Sequence, residues 1–567
     1  MPVAMTLSGD CALHVAIRVA ALSLVLLMAL LPARAPAAPA WQPPQLVSGA
    51  ATQPAYAQEI ALSASGHALA VWLEGGLGAD ITSRKAYYAW RAPRGGWGVK
   101  ALIPGSPLNL PAIGVSSFGT ATLAYGLRDG DVAVVTGRPG TPLRVTDTLN
   151  GPKPLGNFGT KVALAVDDEG GATIGWTTLP NVLAATRRPG ERFGAPQLLG
   201  SVAAISVDVA VNPAGAAVVA WGIGSERIRA AYRLPGETGF GAPANVPRVA
   251  TMGTEPRVAI EDDGTAIVAS SGEDATRTSA TGITFSERTP AGAFGPEQRV
   301  NAAGALQALV PEPQSGSAFI TQSGLAGGVM TATTRAASGA LGAPVVLSNL
   351  DSCFADAASS PIGQLVVAWT SPCPVNPYGA PGSGVQVRRR AGPALPFDLP
   401  VQLTANGSNA RVATSANGDA IVAFHSGPAG QSAIAASAFE DPGARPPSLV
   451  KPFIGGGSDP VATLPSEGGG RIGLPITCPV ACSVAPQGIL TTSGIARATA
   501  ARGSLRSLRA RRRTTVDVRF SQARIATARR ALRNGRRASV SYTVTVRKRG
   551  SKTRLSFSRR VRLKPAR

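Results

Sequence analysis

Between residues 60 and 424 the apolar positions come in paired short runs joined by a turn. A few apolar residues lead to a glycine, and an alanine-rich apolar run follows, usually with an aromatic six residues after the glycine. Residues 61–72 (ALSASGHALAVW), 164–176 (LAVDDEGGATIGW), 209–221 (VAVNPAGAAVVAW) and 412–424 (VATSANGDAIVAF) are the clearest copies. The turn glycines are Gly66, Gly119, Gly170, Gly215, Gly264, Gly316, Gly363 and Gly418, spaced 45 to 55 residues apart. Six residues on stand Trp72, Tyr125, Trp176, Trp221, Trp369 and Phe424; Ser270 and Gln322 break the rule. Asn, Pro, Asp and Gly between two apolar runs supply the backbone angles and local hydrogen bonds of a turn, so each phrase predicts a hairpin. The second run barely alternates, which is the pattern of a strand covered on both faces.

A period near fifty residues is too long for common helical solenoid units and fits a blade of four short strands in a β-propeller. A second phrase follows each hairpin: an arginine, a Pro/Gly turn, an aromatic or leucine, then Gly/Pro and an apolar pair. Residues 187–196 (RRPGERFGAP) and 288–296 (RTPAGAFGP) show it. It predicts the outer hairpin of each blade. Its arginines are Arg91, Arg138, Arg188, Arg233, Arg288, Arg335 and Arg390, and one position repeated in nearly every blade predicts a structural role rather than an anion cluster. After the eighth copy the second phrase decays, yet an orphan ending, WQPPQLVS, stands at 41–48 before the first. The N-terminal segment is therefore expected to supply the outermost strand of the last blade and close the ring. Eight blades are expected, with seven and one aberrant copy as the alternative.

The chain of 567 residues has room for more than one domain. Arg18, an apolar run over 19–31 and small residues to Ala40 read as an export signal over 1–40, too short and wrongly flanked for a membrane span. Four cysteines then remain. Cys353 and Cys373 lie ten residues either side of Gly363, at the two ends of one hairpin, and are expected to pair. Cys478 and Cys482 (CPVAC) are expected to pair locally. A four-cysteine zinc site is disfavoured by the spacing.

Charge is unevenly placed. Residues 471–567 hold 25 of the 55 Lys and Arg but only one of the 32 acids, a net of +24; the rest, 30 bases against 31 acids, is close to neutral. Residues 441–470 are rich in Pro, Gly and Ser and read as a linker. Beyond them, alternation predicts strands at 515–520 (TVDVRF), 539–546 (SVSYTVTV) and 555–563 (LSFSRRVRL). Between the first two a short helix is expected, capped by Ser521, with Ile525, Ala528 and Leu532 on one face and Asn534-Gly535 at its end. The sum is a small Ig-like β-sandwich with one helix, over 471–567. On these features, the propeller phrase over 41–440 and the Arg-rich Cys-x3-Cys region after it, the chain resembles exported bacterial β-propeller repeat proteins with a C-terminal Arg-rich Ig-like domain. The resemblance implies an architecture, not an activity.

Chemistry-bearing motifs are sparse. No HExxH, Walker loop or GxSxG elbow occurs. His67 follows a turn glycine and His425 a hairpin aromatic, which reads as structural. The sialidase Asp-box is excluded, because here the aromatic falls six residues after the glycine. Acidic turns such as Asp167-Asp168-Glu169 lack the ligand ladder calcium needs. No catalytic residue, metal or cofactor is assigned. The basic clusters Arg511-Arg512-Arg513 and Arg547-Lys548-Arg549 are candidates for polyanion binding: anionic cell-wall polymer, lipid headgroups or polysaccharide. Few aromatics interleave with them, so specific nucleic-acid recognition is not expected. The expectation is an exported, monomeric, non-enzymatic binding scaffold, tethered to the envelope by its basic domain. A propeller-fold glycoside hydrolase or lyase and a purely structural surface module are the alternatives.

Overall fold

The structure, a computed structural model, describes residues 40–440 apart from the segments 50–52, 76–83, 153–159, 224–226, 248–254, 274–279, 375–382 and 428–431 and scattered one- or two-residue gaps. Within 453–564 it describes the strands and one helix. All of the expected signal but Ala40, most of the linker, Cys478, Arg511, Arg512 and Arg549 lie outside the described residues, as do the side chains of Cys482, Arg513, Arg547 and Lys548.

The repeated phrase folds as a hairpin. Strand Ala204–Val211 pairs antiparallel with Ala217–Ile223, that strand with Arg227–Arg233, and Arg227–Arg233 with the short Ala244–Asn245. Asn212 builds the first turn. Its Oδ1 accepts the Ala214 N–H at 3.1 Å and the Ala216 N–H at 2.9 Å, and Gly215 turns the chain back at φ +85°, where a side chain would be strained. Ser63, Ser116, Asp167 and Ser360 take Asn212's place in other copies, each accepting the N–H four residues on.

Four antiparallel strands recur over 55–102, 112–149, 161–201, 204–245 and 257–301. Residues 305–404 hold two four-stranded sheets joined into a continuous seven-stranded run, because the long strand Val345–Ser359 pairs first with Gly328–Arg335 and then, from Cys353 on, with Leu365–Ser371. Residues 407–440 give three strands, and both Ala40–Trp41 and Gln45–Leu46 add to the edge of Ala433–Glu440. Gln42 fixes this join: its N–H donates to Ala438 O at 2.7 Å and its Nε2 to Glu440 Oε2 at 2.8 Å. Trp41 packs on Phe439 with ring centroids 5.5 Å apart. The first strands of successive sheets touch in chain order, from Ala55–Leu62 round to Gly407–Thr414, and the last touches Ala55–Leu62 again. The fold is all-β and β-propeller-like.

The core lies between sheets, on the second strands. Every residue of Ala68–Glu74, Ala172–Thr178 and Leu365–Ser371 is buried. Trp72, Trp176, Trp221, Trp369, Tyr125 and Phe424 are all fully buried at one register. Small residues let the sheets approach: a Cβ on Gly175 would stand 2.9 Å from Cγ2 of Val209 in the next sheet. Where the aromatic is missing the register explains how. Ser270 occupies its place in one sheet. In the next, Ser317 lies opposite Arg335 as Ala217 lies opposite Arg233, which puts Thr321 there and not Gln322. That copy is out of step because Gly316 sits in the strand, opposite Glu312, rather than in the turn. Phe285 and Phe319, centroids 5.1 Å apart and both buried, pack together there instead.

Register also corrects the arginine row. The residue opposite the start of each second strand is Arg91, Arg187, Arg233, Arg288, Arg335 or Arg390, with Gly137 and Phe439 in the remaining two cases. Arg187 and Gly137, not Arg188 and Arg138, hold the position. The bridges Arg91 to Trp97, Arg288 to Phe294, Arg335 to Leu341 and Arg390 to Phe397 form the expected outer turns. Five of the six arginines reach a preceding sheet, or the last sheet in the case of Arg91. Arg91 pairs with Glu440 at 2.7 Å, Arg335 with Glu261 at 2.9 Å and also with Glu287, and Arg390 with Glu312. Arg187 donates to Thr122 Oγ1 at 2.6 Å, and Arg288 lies 4.3 Å over the Tyr232 ring.

Cys353 and Cys373 are joined, with Cα atoms 5.3 Å apart. Among the described residues of 453–564 there are two sheets. One holds Phe453–Ile454, Gly470–Thr477 and Arg513–Phe520; the other is built on Cys482–Thr492, Ala538–Lys548 and Arg554–Lys564. Each alternating segment falls in a strand. The helix runs Gln522–Arg533. Ser521 is at its N-cap, but its side chain makes no capping hydrogen bond. Ala531, not Leu532, completes the buried face with Ile525 and Ala528, since steps of three keep to the same side of the helix here.

Candidate functional site

The positions that the copies share are occupied by structure. The position at which they differ most lies on the first strand, seven residues before the turn glycine. There the residues opposite the one preceding the buried aromatic are Glu59, Ala112, Ala163, Asp208, Arg257, Asp356 and Arg411. In the sheet that begins with Ala305–Glu312, Gln307 bulges out beside this level, between Leu306 and Ala308. Because the first strands are the ones that touch all the way round, these side chains form an inner ring. Charge alternates around it, acid at 208, base at 257, acid at 356, base at 411, acid at 59, followed by two alanines.

Every polar member but Arg257 is anchored to a neighbouring first strand. The Asp208 carboxylate accepts the Val258 N–H at 2.9 Å, and that of Asp356 the Val412 N–H at 2.8 Å. Gln307 Oε1 accepts the Ala355 N–H at 3.3 Å. Arg411 Nε donates to Glu59 Oε1 at 3.3 Å, and its Nη1 to Asn409 Oδ1 at 3.1 Å and Ala410 O at 3.0 Å. Three of these residues follow a local distortion. Ala57, Phe354 and Asn409 adopt left-handed φ of 48°, 49° and 53°, each two residues before Glu59, Asp356 and Arg411, where the pairing register shifts. A bulge re-aims the side chains next to it, and such strain persists only where packing over-determines it.

Burial pushes the Glu59 carboxyl above its ordinary value; the attraction of Arg411 opposes this and the nearby Asp356 adds to it. Burial likewise raises Asp208, against the pull of Arg257 and two backbone N–H groups. Burial also disfavours charge on Arg411, but Glu59 and Asp356 outweigh it and hold the guanidinium above its ordinary value. Arg257 attracts both Asp208 and Glu59. Yet the side chains of Arg411 and Glu59 keep 31% and 37% of their surface accessible, which makes this a water-reachable lining rather than a sealed core.

The sequence-predicted polyanion clusters fall outside the described residues or side chains, so the structure does not bring them together with this ring. His67 donates its backbone N–H to Ser63 in a turn, and His425 is fully buried in a second strand. Among the described residues no group of three or more His, Cys, Asp or Glu could hold a metal ion, and no helix is long and apolar enough to cross a membrane. The ring itself was open to sequence reasoning through its fixed offset from the glycines. It is hidden because the residues at that offset do not resemble one another.

No protein-family model matches the chain, and no curated protein matches it. Among solved structures, similarity is found to a protein of unknown function from Dyadobacter fermentans, at 10% identity over 71% of this chain and 99% of that one, TM-score 0.36. A polysaccharide lyase described as an ulvan lyase is similar at 11% identity over 57% and 90% of the two chains, TM-score 0.37. A subtype N11 neuraminidase-like protein of A/flat-faced bat/Peru/033/2010 (H18N11) is similar at 9% identity over 71% and 94%, TM-score 0.33. At these scores none of them bears on what this chain does.

Proposed function

We propose that this chain is an exported, non-enzymatic binding scaffold: a propeller of eight four-stranded blades over 41–440, a linker over 441–470, and a basic Ig-like domain over 471–567 that tethers it to anionic envelope polymers. One observation carries the non-enzymatic reading. Every carboxylate of the inner ring is held by an arginine or a backbone N–H of a neighbouring sheet, an arrangement suited to fixing the sheets and presenting polar groups. The eight-blade count is supported by two halves of the Val345–Ser359 strand serving two sheets, and by the N-terminal strands completing the last one. The tether rests on the net charge of the last hundred residues, whose field attracts polyanions.

The tether is tested by binding the full chain to purified cell-wall material and to anionic vesicles across a salt series. Affinity is expected to fall steeply with salt, and more so than for a chain in which Arg511, Arg512, Arg513, Arg547, Lys548 and Arg549 are replaced by serine. Salt-independent binding, or no change on replacement, removes the tether from the reading.

One observation favours a glycoside hydrolase or lyase as the second reading. Burial raises the Glu59 and Asp208 carboxyls above their ordinary values, the direction in which a general acid is shifted. Release of new reducing ends from a polysaccharide, lost in Glu59→Gln, would establish it.

A further inference from the structure

We infer that the inner ring is a binding site for an uncharged saccharide segment. This deepens the scaffold reading and rests on it. Asp208 spends both carboxylate oxygens on backbone N–H groups, but four other polar members keep part of their hydrogen-bonding capacity. Glu59 uses Oε1, leaving Oε2; Asp356 uses Oδ2, leaving Oδ1. Gln307 uses its carbonyl oxygen, leaving its amide donors. Arg411 uses Nε and Nη1, leaving Nη2. Arg257 is exposed and makes no hydrogen bond to any described residue, although Asp208 and Glu59 attract its charge. Spare donors (Arg257, Gln307, Arg411) and spare acceptors (Asp356, Glu59) therefore share one water-reachable lining, and all but Arg257 are held by a hydrogen bond to a neighbouring strand.

That mixture selects the ligand by chemistry. A hydroxyl both donates and accepts, so a polyol can engage a guanidinium and a carboxylate with neighbouring groups. Three carboxylates against two arginines give the ring a net charge of −1, which disfavours a uronate or a phosphate. A cation meets Arg257 and Arg411. A neutral sugar offends neither. Ala112 and Ala163, side by side in the ring, carry no group that reaches inward and leave room on one wall. A few convergent polar groups fixed on a rigid scaffold are part of the usual make-up of a small-ligand site.

The test uses the full chain and isothermal titration with neutral oligosaccharides of glucose, galactose, mannose and xylose, beside their uronate counterparts. Binding of at least one neutral oligosaccharide is expected, with its uronate counterpart weaker. Arg257→Ala should weaken it about ten-fold or more while the chain still unfolds cooperatively, because Arg257 holds no other described residue by a hydrogen bond. Gln307→Ala is the second variant, expected to weaken binding by a smaller factor. Overturning results are a panel with no neutral binder, preference for the uronates, or neutral binding untouched by both substitutions. In the last case the scaffold reading stands and the site lies elsewhere. Cleavage of a bound neutral oligosaccharide would instead keep this site and end the non-enzymatic reading.

Discussion

Arg91 and Glu440 stand at opposite ends of the repeat region, 349 residues apart, and meet at 2.7 Å. The contact ties the third strand of the first sheet to the last residue of the final one. Gln42, on the added N-terminal segment, donates to the same carboxylate. Both charged side chains are nearly inaccessible, 4% and 10%. A buried charge that loses its partner remains costly, so Glu440→Ala is expected to destabilise by about 3 kcal/mol, and Arg91→Met with Glu440→Leu by much less. Denaturant unfolding followed by tryptophan fluorescence checks this. Equal losses in the single and double variants would show that the ion pair is not what holds the join.

The close approach of neighbouring sheets depends on small residues. Gly175→Val would place new atoms against Val209 and Val219, both already in contact distance of any Cβ. Destabilisation of about 1–3 kcal/mol is expected. Trp221→Ala, which empties a fully buried site, should cost about 3–5 kcal/mol. The midpoint of thermal or denaturant unfolding reads both, and an unchanged midpoint for either would contradict the packing described.

The disulfide joins the strand that serves two sheets to the far end of its hairpin. Replacing Cys353 and Cys373 by serine is expected to lower stability by about 3 kcal/mol, through the loop that the bond closes. The same shift should appear when the unaltered chain is unfolded with a reducing agent present. If reduction leaves the midpoint alone, the bond does not constrain the unfolded chain in the way described.

Glu59 and Asp208 give the fold a pH signature. Their ordinary values are 4.5 and 3.8, and both are raised on folding, burial being the largest cause. A raised carboxyl binds its proton more tightly in the folded state. Its contribution therefore favours folding at low pH and declines as pH climbs from the ordinary value through the folded one. The difference in unfolding free energy between the unaltered chain and Glu59→Gln with Asp208→Asn is expected to fall as pH rises above about 4. A difference that rises over that range would reverse the assigned direction.

Much of this fold was legible in the spacing of a few residues. The glycines at 66, 170, 215 and 418 mark turns because only they take positive φ without strain, and the aromatics six residues later are buried because that register faces the next sheet. The orphan phrase at Trp41 found its partner strand for the same reason. What spacing missed is where a local insertion moves the register. Gly316 sits in its strand, so the aromatic's place passes to Thr321, and Arg187 rather than Arg188 faces the preceding sheet. Ser521 begins the helix without bonding to it, a distinction that composition does not contain. The inner ring was missed for another reason. Glu59, Asp208, Arg257, Asp356 and Arg411 share an offset but no chemistry, and a search for likeness passes over them.

The central claim is that the ring presents ligand without altering it. The full chain, incubated with soluble neutral polysaccharides, can be assayed for retention of the polymer and for new chain ends in one experiment. Retention without new reducing or unsaturated ends is the expected result. New ends that vanish in Glu59→Gln would contradict it.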